Sequence, residues 1–177
     1  MIDFLISVFF NSTVYIKFSA STLFARYVEK NRIIEEKPFL AIKKGKNGKN
    51  RVVGFGKDAS IAKSKDPASI TVHNAFSHPR TFVSNFEVAE ATLRHLIYLV
   101  IQRRIIVRPI VILHPLEKLE GGITQIEYRG LMELGESIGG RKVYIWTGYS
   151  LSDNDLLSKK FLEANCLIRP DSTISEI

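Results

Sequence analysis

The sequence predicts an α/β fold, a mixed sheet with helices packed on it. Three observations lead there. Aromatic and β-branched runs crowd the first third of the chain, strand and helix patterns alternate after about residue 84, and 177 residues with 45% hydrophobic content suit a single core.

In chain order, Phe4–Phe10, Thr13–Phe18, Leu23–Val28, Phe39–Lys43 and Arg51–Phe55 read as strands of one meandering sheet, because each is a short run suited to a pleated surface and bounded by turn residues. Asn11-Ser12 is the expected turn between the first two, and Pro38 is expected to open a strand, where its missing N–H costs little. Asn47-Gly48 reads as the tip of a solvated hairpin, since both residues tolerate the positive φ such a turn requires. Ser84-Asn85-Phe86-Glu87 has the form of a capping box with Ser84 at the N-cap. From there Phe86, Ala89, Leu93, Leu96, Ile97 and Val100 recur at helical spacing to about Arg103. The apolar run Arg108–His114 suits a strand covered on both faces. A second capping box, Thr124 to Glu127, starts a helix with Ile126, Leu131, Leu134 and Ile138 on one face, and Gly139-Gly140 stops it. Lys142–Trp146 is the next strand. The last helix is expected from Ser152-Asp153 to about Asn165, followed by a tail over 167–177. The whole is read as one domain over 1–166, with about 37–75 as a smaller inserted unit.

Composition narrows the chemistry. The single thiol, Cys166, excludes an intrachain disulfide framework and fits a reducing, cytoplasmic setting. The opening run Met1–Phe10 is apolar, but it is about half the length of a membrane span and carries Asp3, so it reads as a buried strand. The chain has a formal charge of +7, and its basic residues concentrate at Lys43, Lys44, Lys46, Lys49 and Arg51, a basic patch able to attract an anionic membrane surface, and again at Arg103, Arg104 and Arg108. Nucleic acid is a poorer fit, because no aromatic residues interleave with these cations to stack on bases. His73, His78, His95 and His114 are scattered and read as surface or packing residues, and Asp153 and Asp155 beside Ser152 read as helix caps before they read as a metal loop.

Five stretches, taken in order, resemble the MreB-like bacterial actins of the actin–Hsp70–sugar kinase superfamily. Phe4–Lys17 sits where the family has its first hairpin. Ile33–Ile42 is similar to "VVNEPSVVAI", and Val53–Ala59 to "AVGEEA". Phe82–Leu93 is similar to "VIADFEVTEAML", and Arg108–Ile112 together with Ile123–Arg129 to "RPRVVICVPSGITEVEKRA". The resemblance spans most of positions 4 to 146. It implies an actin-like, ribonuclease H-like first domain and raises polymerisation as an expectation.

The departures from the family pattern shape the functional expectation. The family's first phosphate loop, "DLGTANT", supplies an Asp for the metal shell and a Gly-Thr backbone that approaches phosphates. The matching run here is Ser7-Val8-Phe9-Phe10-Asn11-Ser12-Thr13, a vestigial loop in which Phe9 and Phe10 are expected to pack instead of admitting a nucleotide. The family's "EEP" run is matched by Trp146-Thr147-Gly148-Tyr149, which offers no carboxylate to polarise a water. The likeness also stops before the family's second phosphate loop, "DIGGGT". The expectation is therefore a module with no cofactor and no catalysis, self-associating or bound to a protein partner of the cell-shape cytoskeleton, cytoplasmic and peripheral to the inner membrane. The alternative is a weak ATP-binding half-actin that needs a second-domain partner to complete its cleft.

Overall fold

The computed structural model describes residues 12–45, 48–102, 108–159 and 161–164. In chain order its elements are β1 (Thr13–Phe18), β2 (Leu23–Tyr27), a 3-10 turn at Val28–Lys30, β3 (Arg32–Glu36), β4 (Leu40–Lys43), β5 (Arg51–Phe55), α1 (Lys57–Lys65) and β6 (Ile70–His73). They continue with α2 (Phe86–Ile101), β7 (Ile110–Pro115), α3 (Gln125–Ser137), β8 (Lys142–Ile145), α4 (Asp153–Leu157) and α5 (Phe161–Ala164).

The main sheet has the order β3-β2-β1-β7-β8. The pairs β3–β2 and β2–β1 are antiparallel, whereas β1–β7 and β7–β8 are parallel, so the three parallel strands end at one edge of the sheet. Alternation along the strands sorts the side chains onto two faces. On one face Val14, Ile16 and Phe18 join Val111, Leu113, Val143 and Ile145 in a core shared with Leu93, Leu96 and Ile97 of α2 and Leu131 and Leu134 of α3. On the other face Tyr15, Ile112 and Tyr144 meet Trp146, Leu151, Leu156 and Phe161, so the last two helices form the second cover. Helix α3 lies very close to β8. A Cβ on Gly135 would fall 2.8 Å from Val143 Cγ2 and nearer still to Cγ1, which is why glycine occupies a helix interior that would otherwise favour alanine.

The strand-rich first third is divided between two sheets. Strands β5-β4-β6 form a separate, antiparallel three-stranded sheet carrying α1, with Ala41, Ala59 and Ile70 as its own small core. β3 and α1 lack distinct sequence signals: β3 is Arg-Ile-Ile-Glu-Glu, with charged residues at three of its five positions, and α1 is Lys- and Ser-rich.

Several local expectations are corrected. Pro38 lies in a bend two residues before β4, and Ser84 is not the cap of α2. The Ser84 hydroxyl donates to the Ala75 carbonyl at 3.0 Å, so the cap moves on to Asn85, whose side chain accepts from Val88 N–H at 2.9 Å. The Thr124–Glu127 box forms as expected. Ile126, however, is 84% exposed, because the first turn of α3 stands beside residues 81–86 rather than over the sheet. The last helix is interrupted: Lys159 takes φ 57°, a left-handed conformation that ends α4 before α5 begins. The opening run 1–11 and the tail lie outside the described residues.

Candidate functional site

In open α/β sheets, ligands are held outside the carboxyl ends of the parallel strands. Here that edge is formed by Phe18, Pro115 and Ile145 and by the segments that follow them. The first described hairpin is β1–β2, with Ser19–Thr22 as its turn, about ten residues after Ser7–Thr13. Ser7, Phe9, Phe10 and Asn11 lie outside the described residues. Ser12 and Thr13 are buried at the opposite, amino end of β1, where the Ser12 carbonyl accepts from Ile110 N–H at 2.7 Å and Thr13 N–H donates to Glu29 Oε2 at 2.8 Å. Burial of that carboxyl pushes Glu29 up from its ordinary value, while the Thr13 N–H pulls it back down. The sequence signal for the Ser19–Thr22 turn is faint, since Ser-Ala-Ser-Thr contains no Gly, Pro, Asn or Asp.

Every backbone N–H of that turn has a partner within the chain. Ser19 N–H donates to the Thr22 carbonyl at 2.9 Å, and Ser19 Oγ accepts from Ser21 N–H at 3.2 Å and Thr22 N–H at 3.0 Å. Ala20 N–H donates to Glu117 Oε2 at 3.1 Å. Beside it Lys118, at φ 64°, donates to the carbonyls of Phe76 and Thr81 at 2.8 and 3.1 Å, which ties the segment after β6 over the strand ends. The cavity left among Phe18, Phe82, Pro115 and Glu117 measures about 10 Å³, room for a single water at most.

On the second face of the sheet, a buried polar chain joins β1, β7 and the segment after β8. Tyr15 Oη lies 2.5 Å from His114 Nδ1 and accepts from Leu151 N–H at 3.2 Å. The Gly148 carbonyl serves as a further partner for His114. Burial, with Lys17 adding a like charge nearby, holds His114 down at about 4, so its ring is neutral at pH 7 and accepts from the tyrosine. Burial likewise pushes Tyr15 up to about 12. The Trp146 indole N–H donates to the Tyr149 carbonyl at 2.6 Å, folding Thr147-Gly148 against the sheet.

The remaining candidates scatter. Lys43 pairs with Asp66 at 2.8 Å, and that partner holds the Asp66 carboxyl below its ordinary range; Lys44, Lys49 and Arg51 are exposed, and Lys46 lies outside the described residues. Asp153 pairs with Arg26 at 2.5 Å and Asp155 closes a capping box with Ser152. Among the described residues no three His, Cys, Asp or Glu side chains are grouped to hold a metal, and no helix is long and apolar enough to cross a membrane.

Residues 14–150 match the family model described as MreB/Mbl protein. The chain belongs to the MreB/Mbl family. No curated protein sequence matches it. Among solved structures this MreB/Mbl chain is similar to MreB5 of Spiroplasma citri, in a form bound to ADP (17% identity, TM-score 0.59) and in one bound to AMPPNP (18%, 0.61). Each alignment covers 77% of this chain and 38% of that one. A non-polymerising MamK mutant bound to AMPPNP aligns at 11% identity with a TM-score of 0.56, over 77% of this chain and 40% of that one. At these identities the likeness establishes the actin-like fold. The chain spans about two fifths of the length of these proteins.

Proposed function

We propose that this MreB/Mbl chain is a non-catalytic, actin-fold assembly module of the bacterial cytoskeleton, acting in the cytoplasm without a bound nucleotide. One observation carries the reading. The backbone amides of the Ser19–Thr22 turn, which an anion would need, are all engaged within the chain, and one of them holds the Glu117 carboxylate. A fixed negative charge there repels phosphate instead of cradling it. The neighbouring positions agree in chemistry. Lys17, one residue before the end of β1, stands where the phosphate-loop motif has its Asp, and Thr147-Gly148 follows β8 where that family carries a glutamate. The filaments and partners of the MreB type come to this chain only as part of the proposal, since fold alone does not transfer function.

The test is phosphate release from Mg-ATP. The protein is expected to stay at buffer background, and so is the Lys17→Asp, Glu117→Gln double variant, because Thr147-Gly148 still supplies no group to polarise the attacking water. Steady release by the unaltered chain, abolished by substitutions at the Ser19–Thr22 turn, would overturn the reading in favour of a half-actin that retains its nucleotide.

A further inference from the structure

The cover on the second face of the main sheet is fastened differently from the rest of the core. Among the described residues, the segment 147–164 adds no strand to the sheet, and its backbone-to-backbone hydrogen bonds stay within itself. Its helices are short: α4 has five residues and α5 four, below the length at which a helix holds without tertiary contacts. What holds this strap down is the packing of Leu151, Leu156 and Phe161 on Tyr15, Ile112 and Tyr144, together with a few polar contacts. A segment held in this way opens at lower free energy than the sheet it covers.

The polar contacts centre on one buried pair. The His114 ring, neutral at pH 7, accepts from the Tyr15 hydroxyl through Nδ1 and has the Gly148 carbonyl as its other partner, while Leu151 N–H donates to Tyr15 Oη at 3.2 Å. The pair thus grips the strap at both Gly148 and Leu151, and it does so only with a neutral ring. A second proton turns Nδ1 into a donor, so the Tyr15 O–H loses its acceptor and a positive charge is left on a side chain that is 2% exposed. The charged groups around it give no relief. Lys17, directly opposite His114 in the strand register, is a like charge. On the strap and the elements beneath it, Asp153 is committed to Arg26, Asp155 to the Ser152 cap, and Glu29, raised by burial, faces Lys159. Lys142 of β8 lies over the Tyr144 ring. Water is the remaining partner for the charged ring, and because β1 and β7 are interior strands it enters beneath the strap.

We propose that residues 147–164 are an acid-released strap: protonation of His114 breaks its hydrogen-bonded chain to Tyr15, and the strap lifts from a sheet that stays folded. The inference goes beyond the assembly reading and does not depend on it. Lifting uncovers Tyr15, Ile112, Tyr144 and Trp146, an apolar face that the closed strap keeps from water. Release falls between the ordinary imidazole value of 6.5 and the closed-state value of about 4, because the open state binds the proton that the closed one refuses.

Hydrogen exchange read by mass spectrometry on the full chain, between about pH 6.5 and about pH 4, tests it once protection is corrected for the intrinsic pH dependence of exchange. Protection of the strap amides is expected to fall at least about tenfold over that range, while β1, β7 and α2 keep theirs. Trp146, the single tryptophan of the chain, should report the same midpoint through a red shift of its emission. His114→Gln, which cannot take up the proton, should remove the pH dependence of strap protection whatever its level at neutral pH. Tyr15→Phe, which takes away the same link and leaves the imidazole in place, should lower strap protection at pH 7 at least about tenfold without affecting the sheet. Loss of protection in strap and sheet at one shared midpoint would overturn the proposal. So would a strap whose pH dependence survives His114→Gln, or one as well protected in Tyr15→Phe as in the unaltered chain.

Discussion

Acidification from pH 7 towards pH 4 is expected to remove roughly 3 kcal/mol of stability through His114 alone. The imidazole is 2% exposed, accepts from Tyr15 and is held at about 4, against an ordinary value near 6.5. Between those two values the unfolded chain binds a proton that the native chain refuses, so stability rises with pH across that window and falls as pH drops through it. Burial is the main cause, the Lys17 charge a lesser one, and the Gly148 carbonyl opposes both. Glu29 works in the other direction, because its raised carboxyl takes up a proton more readily in the native state. Denaturant midpoints measured from pH 7 to pH 4.5 should therefore be compared with those of His114→Gln. The variant is expected to lose most of the slope in the upper half of this range. Parallel curves for the two proteins would show that His114 is not the titrating group.

Phe161→Ala is expected to cost about 3–5 kcal/mol, the usual range for truncating a well-packed aromatic residue. Its ring is 1% exposed and meets Tyr144 edge-on at 5.3 Å, within the cluster that includes Trp146, Leu151 and Leu156. Losing it uncovers the second face of the main sheet. Leu157→Ala, four residues earlier but 66% exposed, should change stability by less than about 0.5 kcal/mol. Equal effects of the two substitutions in chemical denaturation would mean that α4 and α5 do not cover the sheet as described.

The parts of the fold that were legible in the sequence are those in which one local rule decides. Thr13–Phe18 and Arg51–Phe55 are rich in β-branched and aromatic residues, Thr124 and Glu127 satisfy each other as a capping box, and Leu93, Leu96 and Ile97 repeat at helical spacing on a buried face. The corrections fall where tertiary contacts override local preference. Ser84 is a good cap by composition, but Ala75 offers its hydroxyl a carbonyl first. Ile126 fits an apolar stripe, yet it sits on a turn that lines an open groove. The two-sheet division was hidden because β6 pairs with β4 across the intervening β5 and α1, and β3, which pairs with its neighbour β2, has little apolar pattern of its own.

The segment after β8 was legible in the sequence, and the turn after β1 was not. The absence of a carboxylate at Thr147-Gly148 needs only the strand before it to be placed correctly, and Lys142–Ile145 is a clear strand. The turn at Ser19–Thr22 has no such marker. Its hydrogen bonds come from serine hydroxyls and from Glu117, 97 residues away, and its place at the edge depends on β1 pairing with β7. Long-range contacts of that kind leave no trace in local periodicity.

Isothermal titration of the protein with Mg-ATP tests the central claim most directly. With every amide of the Ser19–Thr22 turn engaged and Glu117 held against Ala20, no saturable heat is expected up to about 1 mM nucleotide, which corresponds to binding weaker than about 4 kcal/mol. A saturable isotherm that fits a micromolar dissociation constant and disappears when the turn is substituted would contradict the account.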